Sequence, residues 1–290
     1  MSEPAAAPQS TWPFDIGIVG TGIVGTHQFT REAEEVIRRS NHTFVIASGY
    51  GIPEYIETLC PRVTDLGYLY EPGMNRLPTY HRMAAAVVSA AMVEAPVCLA
   101  TYGHPWVYCY PTTLIDRAAP LLGLHVEVFA GVSAFDTLLV DLGIDIANSG
   151  IQMYEATDLL LRRRPIQSDV TCLIWQPTVV GDPTTPDGPY ASQQFEPLQD
   201  YLLRFYPPDH QVKLVTSKTH PLIRSTVKSL NVGDLAAVLE GAPGVGTLYI
   251  PGLTERTIED PELLNVMITV GSRSEAEPVA GRDPGVALDE

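Results

Sequence analysis

Three separated segments carry the side chains best suited to chemistry: Tyr70, Arg76 and Tyr80; Tyr102-Gly103-His104-Pro105; and Tyr154-Glu155-Ala156-Thr157-Asp158. Each is ordinary alone. Together they supply phenols, a cation and a loop shaped by glycine and proline, which are parts able to polarise a weak nucleophile beside a bound small molecule. Pro78 disfavours helical geometry at Leu77 and suits the first turn of a helix, so Arg76 is expected in a loop and Tyr80 just inside a helix. Interfacial tyrosines and an exposed arginine would account equally well for this segment in isolation. Tyr102 to Pro105 follows an apolar run ending at Ala100, hence lies at a carboxyl strand edge, where open α/β sheets bind ligands. A tight turn with a surface histidine is the plainer account of His104, but Trp106, Val107 and Tyr108 could line an apolar wall. The segment from Tyr154 could be a helix start capped by Thr157 or Asp158.

Gly20-Thr21-Gly22-Ile23-Val24-Gly25 follows a predicted strand and matches the dinucleotide fingerprint. The match is incomplete, because Val45-Ile46-Ala47-Ser48-Gly49, at the end of the next strand, offers no acid to hold a ribose. The glycines could simply make the turn, allowing close approach where a Cβ would intrude. Ala130-Gly131-Val132-Ser133-Ala134-Phe135-Asp136 follows another strand and opens a helix, with Ser133 as its N-cap or its N–H groups free for a ligand. Trp175-Gln176 and Gly246-Thr247 sit at the ends of two later apolar runs.

The elements that must hold these residues alternate. Strands are expected at 14–19, 43–47, 97–100 and 126–129, with helices at 30–39, capped by Thr30, and at 80–93, the pattern of a mainly parallel sheet. Later strands are expected at 172–175, 213–216 and 247–250, with helices at 195–205 and 232–239. Residues 181–192 are crowded with Pro, Gly, Asp and Thr and read as a mobile loop. The chain is expected to be α/β: a flexible start (1–13), an N-terminal lobe (14–147), a C-terminal lobe with a smaller mixed sheet (148–257), a terminal packing segment (258–271) and a disordered tail (272–290). A cleft between lobes is where a ligand usually sits.

Composition narrows the partners. The 290 residues carry 45% hydrophobic content and a formal charge of −16, enough for a core but repulsive to nucleic acid and to anionic membrane surfaces. Arg162-Arg163-Arg164, the one dense basic run, precedes Pro165 and reads as a helix terminus. Cys60, Cys98, Cys109 and Cys172 lack the spacing of a zinc site or a disulfide framework, so they are expected as reduced thiols with no metal. No secretory signal or membrane-spanning run is evident, and a soluble cytoplasmic protein is expected.

Taken collinearly from about Asp15 to Pro251, these motifs resemble the tetrapyrrole methylase superfamily and, within it, the borosin peptide backbone N-methyltransferases. In the superfamily Tyr-Gly-His-Pro commonly reads Gly-Asp-Pro, whereas the borosin group resembles this chain. Ala130 replaces a usual proline, and Leu77 stands where the borosin group is often aromatic. The resemblance implies a two-lobed class III methyltransferase fold using S-adenosylmethionine and yielding S-adenosylhomocysteine. It implies Gly20, Gly22, Tyr102, His104, Val107, Tyr108, Ser133, Ala134, Trp175, Gln176 and Thr247 as cofactor-binding, with the glycine loop bordering the cleft. It implies Tyr70, Arg76 and Tyr80 as catalytic; in backbone amide methylation Tyr70 would be the base if Arg76 depresses its phenol, Arg76 could stabilise charge on the amide oxygen, and Tyr80 would orient the pair. Because fused borosins carry an extra helical region before their peptide, for which little chain follows Pro251, a separate precursor peptide is expected. The apolar stretch at 263–270 reads as terminal packing. A homodimer is expected as well. The alternatives are C-methylation of a tetrapyrrole and a noncatalytic cofactor- or peptide-binding module.

Overall fold

The computed structural model describes residues 13–46, 51–147, 149–242 and 246–276, with backbone alone at 270–276. Most of the expected flexible start, and the expected tail beyond Ala276, lie outside the described residues, as do Ala47 to Gly49.

The first sheet has five strands in the order β3-β2-β4-β1-β5, every pair parallel: β1 (Ile16–Gly20), β2 (His42–Ile46), β3 (Val63–Asp65), β4 (Val97–Thr101) and β5 (Val126–Val128). Every residue of β1 and β4 is buried, as a parallel strand covered on both faces must be. Alternation assigns the faces. Ile16, Ile18, Val97 and Leu99 pack with Met83 and Val87 of α3 (Arg76–Glu94) and Ile115 of α4 (Tyr110–Ala118). Val19, Cys98 and Ala100 pack instead with Val36 and Ile37 of α1 (Arg31–Arg39) and Ile56 of α2 (Ile52–Leu59). Thr30 caps α1 by accepting from the Ala33 N–H, as its sequence suggests.

The second sheet is mixed, in the order β6-β7-β10-β8-β9: β6 (Ile151–Glu155), β7 (Thr171–Trp175), β8 (Gln211–Thr216), β9 (Thr226–Asn231) and β10 (Thr247–Ile250). Only β6 and β7 run parallel; the other neighbours are antiparallel. Its main core gathers Ile174, Leu214 and Leu248 with Leu159 of α6 (Ala156–Arg162), Leu198 of α7 (Glu196–Leu202) and Leu235 of α8 (Leu235–Leu239). On the opposite face Leu173, Trp175 and Val215 meet Leu138 of α5 (Ala134–Leu142), the helix that follows the last strand of the first sheet in the chain. β3, β6 and β9 carry too few consecutive large apolar residues to stand out in the sequence. A separate unit begins at Thr254 and contains α9 (Pro261–Ala276), so the helix continues past residue 272, where a tail was expected to begin.

Two local expectations need correction. Arg76 is the first residue of α3 rather than a loop residue, because the Asn75 side chain accepts from the Leu77 N–H and caps the helix two residues earlier. Pro78 then occupies the first turn, where the missing N–H has no helical partner to lose. At 154–158 the cap is Glu155, not Thr157 or Asp158: its two carboxylate oxygens accept from the N–H groups of both those residues, at 3.0 and 2.7 Å. Tyr154 belongs to β6.

Candidate active site

The loops leaving the carboxyl ends of β1, β4 and β5 touch backbone to backbone. A Cβ on Gly20 would lie 2.2 Å from the Gly103 carbonyl oxygen and 2.9 Å from the Gly131 Cα, while one on Gly131 would lie 2.7 Å from the Gly20 Cα. Gly22, at φ +75°, donates its N–H to Gly103 and accepts the Gly103 N–H in return. Three loops therefore meet at three glycines: no side chain fits at Gly20 or Gly131, and Gly103 takes a φ of +72°, a packing and backbone reason for Gly20 of the fingerprint that does not involve a pyrophosphate.

This joint sets out the expected cofactor residues. Tyr102 is anchored by its N–H to the Ile46 carbonyl, and partial burial holds its phenol above the usual range. The His104 ring accepts the Trp106 N–H at Nδ1, 3.1 Å away, so a neutral imidazole carries its proton at Nε2. Val107 closes that turn by donating to the His104 carbonyl. Tyr108 follows at φ +56°, with its ring centroid 5.8 Å from that of Trp175. Its phenol is held well above the usual range, first by burial and then by the carboxylates of Glu155 and Asp158. Ser133 caps α5 in a reciprocal box with Asp136, so its hydroxyl is engaged at the helix start. Ala134 packs on the cluster of Leu173, Trp175 and Val215. Gln176 continues β7 at φ +57°, and buried Thr247 pairs with Trp175 across the sheet.

Beside this joint a cavity of about 710 Å³ opens between the elements of the two sheets. Arg76, Tyr80, Tyr108, Glu155, Gln176 and Asp182 are among its lining residues. Tyr70 stands behind Tyr80, edge to face at 6.2 Å, and Tyr80 meets Tyr110 in the same manner at 6.1 Å. The remaining expected cofactor residues do not line this cavity.

Arg76 is fixed by the segment expected to be a mobile loop. Its Nη2 donates to the Asp182 carbonyl at 2.7 Å, its Nε to the Pro183 carbonyl at 3.4 Å and its backbone N–H to Pro183 at 3.0 Å. Gly73 and Met74 exchange backbone hydrogen bonds with Thr185 alongside. Burial opposes ionisation of Asp182, but hydrogen bonds from Tyr190 and Thr184, with Arg76 nearby, outweigh it and keep the carboxyl below its usual range. Nη1 of Arg76 has no partner among the described residues.

One electrostatic expectation fails. The Tyr70 phenol is raised well above its ordinary value, not depressed: burial is the main cause, the Tyr80 phenol adds to it, and the downward pull of Arg76 is the smallest contribution. The guanidinium faces the 182–183 carbonyls, and an apolar surround penalises a phenolate more than one offset cation favours it.

Residues 15–171 match the Tetrapyrrole (Corrin/Porphyrin) Methylases. The chain belongs to this family. Relatives in fungi include the methyltransferase/ribosomally synthesized cyclic peptide dendrothelin A precursor of Dendrothele bispora, 30% identical over 86% of this chain and 60% of that one. The corresponding omphalotin A precursor of Omphalotus olearius is 30% identical over 81% and 57%. The chain thus spans about three fifths of the length of these curated relatives. In fold, this family member is similar to the solved methyltransferase CobJ (TM-score 0.59, 14% identity, 84% of this chain and 96% of that). It is also similar to the uroporphyrin-III-C-methyltransferase of Thermus thermophilus (TM-score 0.55, 18% identity, 81% and 91%).

The candidate site also contains residues that sequence reasoning did not select. Asp182 and Pro183 grip Arg76 through backbone carbonyls, which leave no mark on residue type. Tyr110 extends the phenol row, and its signal was present: it closes the aromatic run begun by Trp106. Among the described residues no helix is long and apolar enough to cross a membrane.

Proposed function

We propose that the protein transfers methyl groups from S-adenosylmethionine to backbone amide nitrogens of a separate peptide. The observation that carries this reading is Arg76 held by two carbonyls at a wall of the cavity, one amino group unclaimed, with the Tyr80–Tyr70 phenol pair beside it. The fungal relatives, whose names join methyltransferase to ribosomal peptide precursor, support a methyltransferase acting on peptide; that the peptide is separate is part of the proposal.

The residues fit the cofactor by their chemistry. A sulfonium is a cation, and the Glu155 carboxylate makes the surroundings of Tyr108 negative, while that of Asp158 is paired with Arg162 and Arg164. Ser133 Oγ takes the N–H groups of Phe135 and Asp136, which leaves the Ala134 N–H at the start of α5 without a helical partner, and the aromatics of 102–108 offer flat surface. Tyr102, Tyr108, Ser133, Ala134 and Gln176 would hold it, with Gly20, Gly22, His104, Val107, Trp175 and Thr247 shaping the loops around them. When bound, it would supply an electrophilic methyl group.

An amide nitrogen is a poor nucleophile because its lone pair is delocalised into the carbonyl. Arg76 would stabilise negative charge on the amide oxygen through Nη1, drawing the group toward its imidate form. Tyr70 would accept the N–H proton, and Tyr80 would orient that phenol. Burial keeps Tyr70 neutral in the resting protein, so it would act through a small ionised fraction. That fraction is a stronger base than an ordinary phenolate, better matched to a reluctant N–H acid.

The test is incubation of the purified protein with isotopically labelled S-adenosylmethionine and Val/Ile-rich peptides, read by tandem mass spectrometry. Label on main-chain nitrogen is expected, with Tyr70→Phe and Arg76→Ala retaining cofactor binding but losing turnover. Transfer to a precorrin and to no peptide, or tight cofactor binding without transfer to either, would overturn the reading.

A further inference from the structure

In a chain of formal charge −16, all three lysines fall in one hairpin. Lys213 lies on β8, Lys228 on β9 and Lys218 in the turn between them, where Arg224 adds a fourth cation; residues 210–233 contain no Asp or Glu. Lys218, Arg224 and Lys228 are exposed and, among the described residues, have no carboxylate within ion-pair distance. The hairpin is also apolar at its tip, where Leu222 is 90% exposed and Ile223 54%.

β9 is the last strand of its sheet. It pairs with β8 along Thr226 to Asn231, and Thr226, Val227, Lys228 and Ser229 are all exposed. An open edge presents unpaired N–H and C=O groups that can accept a further strand. Lysine on an edge commonly discourages pairing between copies, and here like charges would oppose two such edges meeting. The same charges select an acidic strand. Lys228 and its cross-strand neighbour Leu214 share a face, and with Thr226 and Glu240 they line a cavity of about 190 Å³ beside the edge. Alternate side chains of an added strand would fall on that face, giving a place where side-chain choice is read. The turn is held in position, since Ser217 and Ser225 both donate to Asp141 of α5 at 2.6 Å.

We infer that the exposed edge of β9 docks an extended acidic segment of the peptide substrate, outside the stretch that is methylated. The substrate identity rests on the methyl-transfer reading above; the edge and its charge do not. A docking contact away from the cavity would raise the local concentration of the acceptor stretch without touching the reacting atoms.

The test uses the full chain and a fluorescein-labelled octapeptide of alternating Glu and Val. Anisotropy should report binding that weakens with added salt, and hydrogen exchange should slow at 226–231 when the peptide is present. The combined variant Lys218→Glu, Arg224→Glu, Lys228→Glu should weaken binding by about tenfold or more, with far-ultraviolet dichroism verifying its fold and the Gln counterparts giving an intermediate loss. Fusing the octapeptide to a Val/Ile-rich acceptor should lower KM without changing kcat, an advantage the reversed variant should lose. Unchanged exchange at 226–231, equal binding of a Lys-Val octapeptide, preferred binding of a thymidine oligonucleotide, or an indifferent KM would each overturn the inference. Failure of the wild-type protein to methylate either acceptor is a separate result: it removes the methyl-transfer reading, while the exchange data still judge the edge.

Discussion

The two five-stranded sheets solve opposite problems. In the first, β1 and β4 are buried throughout, and the loops at their carboxyl ends are locked by glycines whose missing side chains are replaced by another loop's backbone. In the second, the edge strand β9 is exposed from Thr226 to Ser229, and the long connection after β7 reaches over to hold Arg76 through carbonyl oxygens. One sheet supplies a joint that cannot give. The other supplies contacts that are polar, peripheral and adjustable, and the proposed chemistry lies where the two meet.

The largest expected effect falls on that meeting point. Arg76→Ala should lower kcat by about 10²- to 10³-fold, the usual cost of removing one donor that stabilises developing charge. Cofactor affinity, measured by calorimetry, should change little. If the comparison is right, Asp182→Ala should be much milder, because the grip on Arg76 uses the residue's backbone carbonyl. A loss from Asp182→Ala as large as that from Arg76→Ala would show that the carboxylate itself orders the site.

Next in size is Gly20→Ala, which tests the rigidity of the first joint. A Cβ 2.2 Å from the Gly103 oxygen and 2.9 Å from the Gly131 Cα meets backbone first, with the rigid Pro105 ring 3.1 Å away, so two loops must move. Urea unfolding should show a loss of about 3 kcal/mol, at the upper end for overpacking. A loss below about 1 kcal/mol would mean that the loops yield and that the joint is not the fixed part of the site.

The pH profile separates the two accounts of Tyr70. A phenol held above its ordinary value of 10.0 is mostly neutral in the working range, so its reactive phenolate grows about tenfold per pH unit. kcat for methyl transfer should therefore climb steadily from pH 7 toward 9.5, and Tyr70→Phe should remove the slope. A plateau near neutrality would indicate the depressed phenol expected from sequence, or another base. The same shift gives a sign for stability. Since the folded protein disfavours the phenolate, stability is intact below the ordinary tyrosine value and declines as pH rises above it.

Much of the fold was legible because it rests on patterns that composition exposes. The buried runs of β1, β4 and β7 and the capped start at Thr30 are written in residue type. So is the helix at Ser133, with Asp136 three positions on. Short or half-exposed strands such as β3 and β9 depend on a neighbour for definition and leave no comparable mark. At the site, the residue types of Arg76, Tyr70 and Tyr80 were visible, but their electrostatics were not. Whether an arginine lowers a phenol depends on where its guanidinium points and how dry the phenol is; the first is set by carbonyls 106 or more residues away, the second by the packing of Tyr70 against the core of the first sheet. The cations of the β8–β9 hairpin were hidden differently: spaced several residues apart, they form a patch only once the strands pair.

The smallest expected effect gives the comparison its control. Gly246 precedes β10 in the second sheet, and a Cβ there would come 2.9 Å from Leu214 Cδ1 and 3.4 Å from the Val215 carbonyl oxygen. The closest obstacle is the end of a side chain that can rotate, whereas the two closest obstacles at Gly20 are main chain. Gly246→Ala should cost about 1 kcal/mol, because the rotamer change is partly offset by the reduced freedom of alanine in the unfolded chain. Urea unfolding of the two variants side by side should place Gly20→Ala well below Gly246→Ala in stability. Equal losses would mean that the second sheet is packed as tightly around its turns as the first, and that the division between a fixed joint and an adjustable wall does not hold.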